Sequence, residues 1–135
     1  MKSLVLGTSA FVVATFATQA VSHFVVNVDH YAKVEHLREE PVFAFGVLAM
    51  AVEGAIMAFL YSRMVWSRRM MINALRFAWL MGAFLASYIA FAEAAKYSVP
   101  SMASWIAVEL TAAAVQFTFF GILLHLSFRR APGIE

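Results

Sequence analysis

Four long apolar stretches, at about 4–26, 42–61, 77–97 and 105–126, constrain this 135-residue chain more than any other feature. Each is close to the roughly 20 residues that carry a helix across a bilayer, so together they consume most of the chain. Three connections of 7 to 15 residues remain, too little for a separate water-soluble domain. The chain is 63% hydrophobic and 13% charged, with a mean hydropathy of +0.78. Soluble domains are nearer half apolar and a quarter charged, so lipid is the expected solvent. The expected fold is all-α: a single membrane domain, residues 1–135, formed by a bundle of four transmembrane helices.

The positive charges predict how the bundle sits. Lys2, Arg63, Arg68, Arg69, Arg76, Arg129 and Arg130 fall on one side, and Lys33, Arg38 and Lys96 on the other. That bias places both termini and the Arg-rich second connection in the cytoplasm. Trp66, Trp79 and Trp105, with Tyr31, Tyr61 and Tyr97, lie near helix ends, where an aromatic belt belongs. A cleaved signal peptide ending near Thr18-Gln19-Ala20 is the competing reading of the N-terminus. It is disfavoured because apolar character continues to Val26. Pro41 suits the first turn of the second span, and residues 27–41 could hold a short amphipathic helix.

Polar residues inside spans are expensive and are functional-site candidates by default. Helical angles of about 100° per residue sort them into one stripe per helix. On the first, Thr8, Thr15, Gln19 and His23 align. On the second, Glu53 shares a face with Gly46, Ala49 and Leu60. On the third, Glu93 lies over Gly82 and Ala86 with Lys96 beside it, and on the fourth Glu109 aligns with Ala113, Gln116 and Phe120. Polar stripes on small-residue faces point toward other helices rather than lipid. The expectation is a converging polar cluster of His23, Glu53, Glu93 and Glu109, with Gln19 and Gln116 near it and Lys96 snorkelling at its rim. By depth, His23, Glu93 and Glu109 sit about 5–8 Å from the non-cytoplasmic boundary at 1.5 Å per residue. Glu53 and Gln116 fall nearer the midplane. Three carboxylates in a dry bundle cannot all stay ionised uncompensated, so at least one is expected to be protonated or to hold a cation.

Several chemistries fit such a cluster. A buried hydrogen-bond network fixing helix register is the plainest. A proton or cation path uses the same residue types. A metal site would draw on His23, Glu93 and Glu109, although the Glu-x-x-His spacing of di-iron bundles is missing. No nucleophile–base pair stands out, so no catalytic residue is assigned, and no cofactor is specified. With no cysteine, thiolate metal sites and thiol catalysis are excluded. Asp29, His30, Glu35, His36, Glu39 and Glu40 could form a surface metal site in the first connection, but a solvated charged loop explains them as well. His125 reads as an interfacial residue. Gly82, Ala86, Ala90 and Ala94 make an unbroken small-xxx-small ladder for close helix packing, within the bundle or against another subunit. No basic run interleaved with aromatics suggests nucleic acid.

The segments EPVFAFGVLAMAVEGAIMAFLYSR at 40–63, MGAFLASYIAFAEAAKYSVPS at 81–101 and WIAVEL from 105 resemble a domain-of-unknown-function family of small four-helix bacterial membrane proteins. The resemblance covers about two thirds of the chain. It implies four helices and a bacterial inner-membrane location, and brings no activity or catalytic residues. The functional expectation is a non-enzymatic accessory or scaffold subunit, packing against a larger membrane partner or itself. A small proton- or cation-coupled transporter and a metal-binding membrane oxidoreductase are the alternatives.

Overall fold

The computed structural model describes residues 1–34, 40, 42–64, 70–99 and 101–129. Glu35, His36, Arg38, Glu39, Pro41, Trp66, Arg68, Arg69, Pro100 and Arg130 lie outside the described residues. All regular structure among the described residues is helical, and four helices are long and apolar enough to cross a membrane. They are α1 (Lys2–Val26), α3 (Phe43–Arg63), α4 (Met71–Lys96) and α5 (Met102–Phe128). A single turn, α2 (Val28–Tyr31), follows α1. It falls within residues 27–41, where a short amphipathic helix is expected, but it is one turn long and buries Tyr31.

Two boundaries differ from expectation by three residues or more. Helix α4 begins at Met71 rather than Phe77, so Arg76 is a helical residue and not part of the second connection. Met71, Ala74 and Leu75 are good helix formers, and the exposed Arg76 side chain can reach outward along the helix. Helix α5 begins three residues early, because Ser101 caps it: the Ser104 N–H donates to Ser101 Oγ at 3.3 Å.

The long helices stand in cyclic order α1–α3–α4–α5. Three sides of this ring are packed: α1 on α3, α1 on α5, and α4 on α5. The fourth side, between α3 and α4, is joined near the end where residues 64–70 connect them, with the Tyr61 and Phe77 rings 5.3 Å apart. The start of α1 and the end of α5 lie at this same end, here called the terminal end, since a Cβ on Gly7 would come within 2.8 Å of Phe128.

The core is divided along the bundle axis. Toward the terminal end it is aromatic. Phe11 meets Phe120 edge-on at 5.1 Å and Phe117 at 6.0 Å, and Tyr61 meets Phe128 edge-on at 5.2 Å. Phe11, Phe77, Phe117, Phe120 and Phe128 are all buried, and the other eight phenylalanines are not. Two glycines make this packing possible. A Cβ on Gly54 would lie 2.9 Å from the Thr8 carbonyl, and one on Gly82 would lie 2.6 Å from Phe117 Cγ. The ladder Gly82, Ala86, Ala90 and Ala94 is buried along its whole length, so it serves packing within the bundle. Away from the terminal end the core turns polar.

Helix α3 departs from the bundle there. Every position from Val42 to Ala49 is exposed, and a Cβ on Gly46 would meet nothing within 4 Å. The first third of this helix, Phe43–Ala49 of its 21 residues, is therefore exposed on every face among the described residues.

Candidate functional site

The polar site is built where two spans change their winding. Ser22–Val26, the last part of α1, and Tyr88–Glu93, within α4, are π-helical turns. Such turns add a residue to the local repeat and rotate the downstream residues about the helix axis, and they recur at functional sites. In α1 the turn brings Ser22 into the bundle and leads to Asn27, whose backbone carbonyl accepts the His30 and Tyr31 N–H groups. The resulting single turn of α2 folds Tyr31 back over the end of the bundle.

Tyr31 is the centre of the site. Its hydroxyl donates to Glu109 Oε1 at 2.8 Å and lies 3.4 Å from Ser22 Oγ. Asn27 Nδ2 donates to Ser22 Oγ at 3.0 Å. Ser22, Tyr31 and Glu109 are each only 6–7% exposed, so this is a buried polar chain in which each member finds a partner. The His23 ring stacks on the Tyr31 ring at 3.6 Å and 14°. His30 meets Tyr31 edge-on and stacks against Trp105 at 5.8 Å. Trp105 Nε1 donates at 3.2 Å to the Ile89 carbonyl, which belongs to the π turn of α4, where regular backbone pairing is interrupted. Burial pushes the Tyr31 hydroxyl above the ordinary phenol range, helped by the nearby Glu109 charge and opposed by the Ser22 hydrogen bond. The phenol is thus held as a neutral donor.

Around this centre the expected residues fall into three groups. His23 and Glu109 join it directly, and Glu93, at the end of the α4 π turn, is within electrostatic reach of Glu109 and of Lys96. Lys96 is exposed at the rim, donating to the Tyr88 hydroxyl at 3.0 Å with its ammonium 5.0 Å from the ring centre. Gln19 and Gln116 form a separate layer: Gln19 Nε2 donates to Gln116 Oε1 at 3.1 Å, and Gln116 Nε2 to Thr15 Oγ1 at 3.0 Å. Glu53 stands apart. It is partly buried on α3 and hydrogen-bonds to no described residue. The cluster expected to gather His23, Glu53, Glu93 and Glu109 therefore assembles without Glu53.

Among the described residues no three His, Asp or Glu side chains are grouped as a metal site would need. His23, one of the candidate ligands, lies flat against Tyr31. Asp29 is exposed on α2, while His30 is turned toward Tyr31 and Trp105. The His125 Nδ1 and His30 Nε2 atoms are buried without a hydrogen-bond partner among the described residues.

Four residues of the site, Ser22, Asn27, Tyr31 and Trp105, were not singled out as polar-core members by spacing alone. Tyr31 and Trp105 read as belt aromatics, which their end positions justify. The usable signal was Asn27 ahead of Val28–Tyr31, a residue that favours helix starts. No protein-family model, curated protein or solved structure matches the chain.

Proposed function

We propose that the chain is a non-catalytic accessory subunit of a bacterial inner-membrane complex, with both termini in the cytoplasm, and that it holds a larger membrane protein along the exposed first third of α3. One observation carries the reading. The stretch Phe43–Ala49 is exposed on all faces, and one turn further on Glu53 is partly buried in a spanning helix with no hydrogen-bond partner among the described residues. Lipid can cover the apolar side chains, but it offers no donor to a carboxyl at that depth. Such a group left without a donor costs on the order of a few kcal/mol. A donor from a neighbouring spanning helix removes that cost and fixes the register of the contact. The bias of seven positive charges against three supports the orientation.

The test is co-purification from native membranes in mild detergent, comparing the wild-type chain with Glu53→Gln and Glu53→Leu. Gln still accepts a hydrogen bond, so the E53Q chain should retain one stoichiometric partner. E53L should lose about 90% of it, a loss of roughly 1.4 kcal/mol, while the isolated subunit stays folded. A chain that elutes alone, or one that binds equally well in all three forms, would overturn the proposal.

A second reading, a proton- or cation-coupled carrier, draws on the proximity of Glu93, Glu109 and Lys96. Against it stands the aromatic packing of Phe11, Phe117 and Phe120, which fills the bundle between that group and the terminal end. The accessory reading accounts for more of the molecule.

A further inference from the structure

A groove of about 380 Å³ runs between α1 and α5 on the half of the bundle near α2. It is distinct from the exposed first third of α3 and does not depend on the reading given to that surface. Its size falls toward the low end of the roughly 300–1,000 Å³ typical of small-molecule sites. On α5 it extends from Ser104 to Val115, a rise of about 16 Å at 1.5 Å per residue. A bilayer's hydrocarbon core is about 30 Å thick, so the groove is one leaflet deep.

Its chemistry changes along that length. At the end nearest α2 stand Asn27, Ser22 and Ser104, and farther along Thr18 and Thr111 stand among Ala107, Val108, Ala112 and Val115, with the Thr111 hydroxyl donating to the Ala107 carbonyl at 2.7 Å rather than into the groove. The rim side chains Val21, Val26 and Val115 are 51%, 69% and 56% exposed, so the groove opens sideways to lipid. No charged residue lines it. Asn27 uses one Nδ2 hydrogen on Ser22, which leaves its Oδ1 and a second N–H for a ligand. Ser22 is 6% exposed and anchors this wall to Tyr31 and Glu109. Donor and acceptor together, without charge, suit a hydroxyl or ester group. A polar head at Asn27 and a single chain lying toward Val115 match the gradient.

We propose that this groove is a binding site for a single-chain membrane lipid with an uncharged, hydroxyl- and ester-bearing head, a monoacylglycerol in chemical class. Ala107 is the residue whose small size keeps the middle of the groove open. It is exposed, so a larger side chain there fills the groove without disturbing the core.

The experiment uses the full chain in phosphatidylcholine nanodiscs doped with a monoacylglycerol carrying a diazirine in its acyl chain. Parallel samples carry the same diazirine on a fatty acid and on phosphatidylcholine, and labelled peptides are identified by mass spectrometry. The monoacylglycerol should label peptides spanning 18–27 and 104–115 at least fivefold more than either other probe. Ala107→Trp should reduce that labelling about tenfold, and Thr111→Leu, also at an exposed lining position, should reduce it if the Trp variant does not fold. Asn27→Leu should abolish the preference among heads while leaving groove labelling in place. Equal labelling by all three probes would overturn the assignment of an uncharged head. Labelling indifferent to both filling variants would show annular lipid only and overturn the site.

Discussion

Replacing the Tyr31 hydroxyl with hydrogen tests the buried network at a single atom. Tyr31→Phe keeps the ring stacked on His23 but leaves Glu109 Oε1 without its donor at 2.8 Å. An unsatisfied buried acceptor costs about 1–3 kcal/mol in water-soluble folds and nearer 1 kcal/mol between membrane helices. Y31F should therefore lower stability in detergent by about 1 kcal/mol, read from thermal or denaturant unfolding followed by circular dichroism. Adding Glu109→Gln should recover part of the loss, because an amide can turn its N–H₂ toward Ser22. At this scale the sequence was partly legible. Glu109, Gln116, Gln19 and His23 could be placed on inward stripes because a regular helix repeats every 3.6 residues. Tyr31 could not, because it sits beyond the π turn at Ser22–Val26. A wheel drawn through that turn misplaces each later residue by about 100°, the angle of the one residue the turn adds.

At the scale of the helix, the ladder on α4 decides how closely α4 and α5 approach. Gly82 is its tightest rung, with Phe117 seated where a side chain would begin. Gly82→Ala should destabilise the bundle by about 1–3 kcal/mol, the usual cost of overpacking, even though alanine is the better helix former. Phe117→Leu in the same chain should return part of that loss, and the double-mutant cycle would show a coupling that two independent sites would lack. The ladder was readable from its four-residue spacing, but its neighbour was not. Sequence spacing leaves open whether such a face packs inside a bundle or against another subunit, and only the seating of Phe117 on Gly82 decides for the former. Helix ends were less legible than helix existence. Met71–Leu75 reads as connection because Arg76 interrupts the apolar run, yet a charged residue near a helix end is tolerated when its side chain can reach outward.

The described residues form an asymmetric ring of helices: aromatic and closed where α1 begins and α5 finishes, polar and partly open at the other end. Composition already implied four spans. The open side did not follow from it, because the exposed third of α3 is as apolar as any packed span and hydropathy does not record which apolar surfaces meet. Glu53 illustrates the gap. Its stripe on α3 matches those of Glu93 and Glu109 in kind, yet three packed helix pairs are enough to assemble the site around Glu109, and α3 contributes nothing to it. That leaves Phe43–Ala49 and Glu53 as the surface on which the proposed function rests. Its most direct test places a photoreactive benzoylphenylalanine singly at each position from Phe43 to Ala49 in living cells, with Val13 and Phe84, exposed on other helices, as reference sites. Cross-links to one other membrane protein should form from positions on one face of this stretch, Gly46 among them or adjacent, and none from the reference sites. Cross-links to no protein at all seven positions, or an identical pattern from Val13 and Phe84, would contradict a partner held along α3.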